Sequence, residues 1–220
     1  MRWMTVAVVV LCAGLAQAQD VASGTARLAT GQSWSAVGAK TVGSGANVLQ
    51  FEAGWPGLSA SYLRGAAPRF SVGARFGFVY GVEGLVRRAL APGLKLQLLA
   101  RLTLLDQGRI SLGLSFEPGP LFHFYNIGTL AGFSLPVGFR LGIAASSALQ
   151  LAVLLELPFW IQFGSLSSFN IPVLTGIGVE YFIQSELAVY VRIRMGPTIF
   201  SRGVPAEFTF DGAFGVAWRF

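Results

Sequence analysis

The sequence predicts an all-β protein: a closed antiparallel up-and-down transmembrane β-barrel of about ten strands, for three reasons. The first is the C-terminal stretch. From Phe208 to Phe220 alternate residues are Phe208, Phe210, Gly212, Phe214, Val216, Trp218 and Phe220, separated by Thr209, Asp211, Ala213, Gly215, Ala217 and Arg219. A period of two places these sets on opposite faces of a strand. An unbroken aromatic face at the chain end would drive aggregation in water and suits a face that meets lipid. The second reason is composition: 53% of the 220 residues are hydrophobic, 12% are charged and 28 are glycine, more apolar surface than a soluble domain of this size needs. The third is the absence of a spanning helix. The longest apolar run, Leu141 to Phe163, is interrupted by Gln150, Glu156 and Pro158 and alternates in steps of two, whereas a membrane helix needs roughly 20 largely apolar residues. Only helices and closed barrels satisfy their backbone within a bilayer.

Taken in order, the chain opens with Arg2, an apolar run from Val6 to Ala13 and the small-x-small site Ala16-Gln17-Ala18, which predicts a secretory signal peptide over residues 1–18. Cys12 follows Leu11 rather than a small residue, so a lipid-anchored reading is not favoured. It is the only cysteine, and its loss with the signal removes disulfides, thiol catalysis and cysteine-ligated metals from the expected chemistry. Residues 19–45 are rich in Ala, Gly, Ser and Thr without periodicity and read as a flexible periplasmic lead-in.

The barrel is expected over residues 46–220. Its first strand, Asn47 to Trp55, sets Leu49, Phe51, Ala53 and Trp55 against Val48, Gln50 and Glu52, and Pro56-Gly57 turns the chain. A second runs from Leu58 to about Arg64. The third faces Phe70, Val72, Ala74, Phe76, Phe78, Tyr80 and Val82 outward, with Ser71, Arg75, Gly81 and Glu83 inward. After a loop bearing Arg87 and Arg88, the fourth alternates Leu94, Leu96, Leu98, Ala100, Leu102 and Leu104 with Lys95, Gln97, Arg101 and Thr103. The fifth sets Ile110, Leu112, Leu114 and Phe116 against Ser111, Gly113, Ser115 and Glu117, before an apolar loop from Pro118 to about Leu130. The sixth exposes Phe133 to Ile143 in steps of two, with Arg140 inward. The seventh, Leu149 to Leu157, turns Gln150 and Glu156 inward and leads to a loop with Phe159, Trp160, Phe163 and Phe169. The eighth, from Ile171 to Ile183, turns Glu180 inward. The ninth, from Leu187 to Met195, turns Tyr190, Arg192 and Arg194 inward, and a loop from Pro197 to Ala206 precedes the last strand. An even number of strands with alternating short and long connections matches a bacterial barrel with both termini on one side. The short first hairpin departs from this alternation and leaves eight or twelve strands open.

The last eight residues, Ala213, Phe214, Gly215, Val216, Ala217, Trp218, Arg219 and Phe220, resemble the C-terminal assembly signal of bacterial outer-membrane β-barrel proteins. Gly215, Val216, Trp218 and Phe220 carry the likeness, and Ala213 departs from it where a polar residue is usual. The resemblance implies an integral outer-membrane location with periplasmic N- and C-termini. The implied partners are the barrel-assembly machinery during biogenesis and outer-membrane lipids and lipopolysaccharide afterwards. Family membership leaves activity open, since pores, structural barrels, adhesins and lipid-modifying enzymes share this fold.

The inward faces gather Glu52, Glu83, Glu117, Glu156, Glu180 and Asp211 with Arg75, Lys95, Arg101, Arg140, Arg192, Arg194 and Arg219. Unpaired charge in a low-dielectric interior is costly, so these residues read as a salt-bridge network filling a narrow lumen. Lys95 is expected between Glu83 and Glu117, and Arg192 between Glu180 and Asp211. The competing reading is a constriction selective for anions. His123, the sole histidine, would have to serve any hydrolase, with Ser165, Ser167 or Ser168 approaching it from the next loop; the plainer reading places it in an interfacial aromatic girdle with Phe122, Phe124 and Tyr125. Arg87, Arg88 and Arg202 suit lipopolysaccharide phosphates. The net charge of +6 is dispersed and forms no nucleic-acid stripe. Neither a metal nor a cofactor is expected. The expected function is a monomeric structural barrel or narrow passive pore for small solutes, with an outer-face lipid- or peptide-modifying enzyme using His123, or a surface-loop interaction protein, as alternatives.

Overall fold

The computed structural model describes residues 32–85, 90–125, 128–163, 168–201 and 205–220. The signal-peptide reading, Arg87, Arg88, Ser165, Ser167 and Arg202 lie outside the described residues. The strands are β1 (Asn47–Trp55), β2 (Gly57–Ala67), β3 (Phe70–Val79), β4 (Gly93–Asp106), β5 (Ile110–Phe116), β6 (Gly119–Tyr125), β7 (Gly128–Ala144), β8 (Leu149–Gln162), β9 (Ser168–Pro172), β10 (Leu174–Phe182), β11 (Leu187–Phe200) and β12 (Glu207–Arg219).

These strands fill ten places round a closed antiparallel barrel, as the alternation predicts. Both β5 and β6 pair with β4 on one side and β7 on the other, so they share one place in the wall. The same holds for β9 and β10 between β8 and β11. β12 closes the ring on β1, from Val48 opposite Arg219 to Trp55 opposite Gly212, which removes the free edges that an open sheet would expose.

The ladder breaks between β5 and β6 because Pro118 and Pro120 have no N–H to donate. Side-chain alternation runs straight through the break: Ser115, Glu117, Leu121 and His123 are buried, while Phe116, Phe122 and Phe124 are exposed. Leu98 N still donates to Pro118 O at 2.8 Å, and Glu117 N to Pro136 O at 3.0 Å. Much of the three stretches read as apolar loops is therefore wall. Pro118 to Leu130 is mainly the β6–β7 hairpin, β8 continues to Gln162, and β11 continues to Phe200. Prolines imitate a loop in the sequence, yet here they sit where a donor can be spared.

The chain ends lie together, with Asn47 N and Phe220 N each donating to the other's carbonyl at 2.9 Å. At this terminal end lie the turns after β2, β4, β7 and β10. The far end carries the cis Trp55–Pro56 turn and the connection from Val79 to Gly93. Large apolar side chains are exposed on the outside at every place in the ring, among them Phe51, Leu58, Phe76, Leu98, Phe116, Phe139, Val153, Ile177, Val191 and Phe214.

From residue 32 onward, the supposed flexible lead-in is a correction. Residues 34–37, 39 and 40–42 are buried, and Trp34, Val37 and Val42 join Leu63, Leu99, Leu154, Phe182 and Tyr190 in one apolar cluster inside the barrel. Gly65 permits the segment to pass the wall, since a Cβ there would lie 1.6 Å from Gly43 O. The third strand also stops short of the expected Val82, which instead folds inward and is 4% exposed.

Candidate functional site

The lumen is the candidate site, and it is filled in three layers. At the terminal end, residues 33–43 thread the interior. A buried backbone must find hydrogen-bond partners, and wall side chains supply them. Ala36 N donates to Glu180 Oε1 at 2.7 Å, and Ser35 Oγ donates to the other oxygen of that carboxylate. Ala36 O accepts from Arg101 Nη1 at 2.8 Å and from Gln50 Nε2 at 3.4 Å. Thr103 Oγ1 donates to Ala39 O at 2.9 Å and accepts from Thr41 N at 3.1 Å. Ser71 Oγ accepts from Val42 N at 3.1 Å. Trp34 packs edge-on against Phe182 with ring centroids 5.3 Å apart, and its Nε1 donates to Ser185 O at 2.8 Å. At the rim, the buried Lys40 pairs with Asp106 at 3.3 Å.

The middle layer is ionic. Arg192 bridges Glu52 at 3.1 Å and Asp211 at 2.6 Å; Asp211 continues to Arg194 at 2.8 Å, and Arg194 pairs with Glu156. Tyr190 donates to Glu52 at 3.0 Å. A second group joins Arg75 and Arg140 to Glu117 at 2.5 Å and 3.2 Å. Between these groups remains a polar chamber of about 110 Å³ lined by Glu52, Arg75, Lys95, Glu156, Arg192 and Asp211, among others. Each cation thus faces a carboxylate, which is the arrangement that lowers the cost of burying both.

At the far end, residues 82–85 and Ala91, after β3, fold into the mouth. Val82, Leu85 and Ala91 pack with Leu121 and Trp160, and Phe210 N donates to Gly84 O at 3.0 Å. Glu83 adopts a left-handed backbone (φ 47°), uncommon for a residue with a side chain. Its carboxylate meets Lys95 Nζ at 2.5 Å and lies 3.5 Å from His123 Nε2. Burial pushes the Glu83 carboxyl upward, but the Lys95 ammonium, helped by His123, outweighs it and holds the group at about 2.

Several expected pairings differ. Lys95 meets Glu83, whereas Glu117 goes to Arg75 and Arg140. Arg192 meets Asp211 and Glu52, whereas Glu180 holds the N-terminal segment. Arg101 serves the same segment and Gln50, and Arg219 sits at the rim, donating to Ser33 Oγ at 3.0 Å. His123 is not in an outward girdle: it occupies an inward position of β6 and is fully buried. Ser168 Oγ bonds Gln162 Oε1 at 3.2 Å. Trp160, read as a loop aromatic, also points inward and is 3% exposed. Among the described residues, no group of three or more His, Cys, Asp or Glu side chains could hold a metal ion. Of the positions read as an assembly signal, Gly215, Val216 and Trp218 fall on β12 and Phe220 follows it; Trp218 and Phe220 are exposed, and Gly215 lies against Tyr190, where a Cβ would lie 2.3 Å from the phenol ring.

No protein-family model matches the sequence, and no curated protein matches it. Among solved structures the chain is similar to one described as "KdgM porin in complex with disordered oligogalacturonate", with a TM-score of 0.38 and 12% identity, covering 80% of this chain and 99% of that chain.

Proposed function

We propose that the protein is a monomeric integral barrel of a bacterial outer membrane, with its termini on the periplasmic side, and that it acts as a structural barrel whose narrow lumen is closed at rest. One observation carries the membrane reading: the outward face is apolar and exposed at all ten places in the wall. Hydrophobic area of that extent is unfavourable in water by roughly 25 cal/mol per Å², and a lipid surrounding removes the penalty. The inverse pattern, polar inside and apolar outside, is that of transmembrane barrels. The filled lumen favours the structural role over a standing pore, since about ten strands enclose little space beyond their own side chains. Passage of small solutes would require both residues 33–43 and the far-end residues 82–85 to leave the lumen. Recognition of Gly215, Val216, Trp218 and Phe220 by the assembly machinery, and contact of the far-end loops with lipopolysaccharide, belong to the same proposal. A hydrolytic role gains no support from His123, because a substrate would have to displace the wall or the inserted loop to touch a fully buried ring.

Heat-modifiable gel migration of the detergent-extracted protein tests this reading. The unboiled barrel is expected to run differently from the boiled chain and to resist extraction without detergent. Identical migration together with extraction in plain buffer would overturn it.

A further inference from the structure

The outer wall is not uniform. Along β4 the outward series Leu96, Leu98, Ala100, Leu102, Leu104 is interrupted by one small residue, Ala100. The missing bulk leaves a groove of about 290 Å³ on the outside of the barrel, lined by Phe70, Ala100, Leu102, Leu114, Phe116 and Val137, together with the buried wall residues Arg101 and Ser115.

The register shows how this groove runs. Phe70 pairs with Leu102 and Leu102 with Leu114; beside that row, Ala100 pairs with Phe116 and Phe116 with Val137. Phe70 opens β3 at the terminal rim, Leu102 is four residues from the end of β4, and Val137 is seven from the end of β7. The rows therefore climb from the terminal rim toward the middle of the wall. From β3 to β7 there are three interstrand steps of about 4.8 Å, so the groove is roughly 15 Å long.

Two arginines stand at its low end. Arg64 lies on the outward face of β2 in the same cross-strand row as Ala100, through Val72. Arg69 immediately precedes Phe70, the first residue of β3. Both are exposed, and neither makes a side-chain hydrogen bond or ion pair among the described residues. Arg64 is also one outward step closer to the rim than Tyr62, which shares a row with Leu49 and Trp218. Tyr and Trp favour the membrane–water interface, so the guanidinium sits at headgroup depth.

We propose that this groove and its arginines form a binding site for an anionic glycerophospholipid, the phosphate held at Arg64 and Arg69 and one acyl chain lying against Ala100. The site rests on the membrane reading given above. Guanidinium groups pair with phosphate by charge-assisted hydrogen bonds, and the groove accepts a chain without leaving a polar group unpaired.

Native mass spectrometry of the refolded barrel, released from micelles containing equal amounts of phosphatidylglycerol and phosphatidylcholine, tests the site. Phosphatidylglycerol is expected to be retained preferentially. The combined Arg64→Ala and Arg69→Ala substitutions should reduce that retention about thirtyfold, since each basic residue near an anionic surface contributes on the order of 1 kcal/mol. Ala100→Phe, which fills the groove and leaves the charges in place, should reduce it as well. Equal retention of the two lipids, or variants that retain phosphatidylglycerol like the parent, would overturn the site. Heat-modifiable migration of the same samples separates the failures: a folded, heat-modifiable barrel without lipid selectivity overturns the lipid site alone, while a chain without heat modifiability overturns the membrane reading and the site with it.

Discussion

Arg192 illustrates how a single side chain holds the interior together. It answers two carboxylates from different strands, Glu52 on β1 and Asp211 on β12, while Tyr190 from its own strand steadies Glu52. Removing one partner of a buried ion pair leaves uncompensated charge and costs about 3–5 kcal/mol. Arg192→Ala is therefore expected to lower the unfolding free energy in detergent by about 3 kcal/mol or more. Arg219→Ala, whose partner Ser33 is exposed at the rim, should cost about 1 kcal/mol or less. Denaturant titration of both variants checks the contrast, and equal losses would contradict it. The inward placement of these charges is legible in the sequence because alternation in steps of two assigns faces. Their pairing is not, because strands in a barrel are staggered. Arg192 reaches past β12 to Glu52, a partner that nearest-strand reasoning overlooks. Glu180 takes backbone N–H groups rather than a cation, and nothing within its own strand announces that role.

Among the elements, the segment from Gln32 to Gly43 was the least legible. A strand in a wall has two different surroundings and so shows a period of two; a segment enclosed on all sides has one surrounding and shows no period. Its small residues look like a flexible tail, yet they are what a narrow, partly filled lumen admits. The complementary sign lies in the wall, where Gly178 faces Val37 so closely that an added Cβ would lie 2.5 Å from Val37 Cγ1. Gly178→Ile should displace the segment while leaving the strands paired. Limited proteolysis of the folded variant is expected to cut within residues 32–43, where the parent resists. Unchanged resistance would show that the segment is held without this close fit. The far-end elements are hard to read from sequence for a different reason. Pro118, Pro120, Pro158, Pro172 and Pro197 suggest loops, but each falls within or between strands that keep their alternation. A proline removes one donor from the ladder; it does not reverse which face the next residue meets.

For the whole molecule, closure is the property from which the rest follows. Ten places in the ring, paired from β1 round to β12, leave the backbone satisfied within the wall and turn the apolar side chains outward. That much was readable from periodicity, composition and the last strand. Whether the interior is open was not, because it depends on two insertions, residues 33–43 at one end and the connection after β3 at the other, that carry no periodic signal. Single-channel recording in a planar bilayer is the direct test, comparing the refolded mature barrel with a deletion variant that lacks residues 32–43 and carries a short turn in place of residues 81–91. The intact barrel is expected to be silent and the deletion variant to show discrete conductance steps. A steady current through the intact protein that the deletion leaves unchanged would contradict the account.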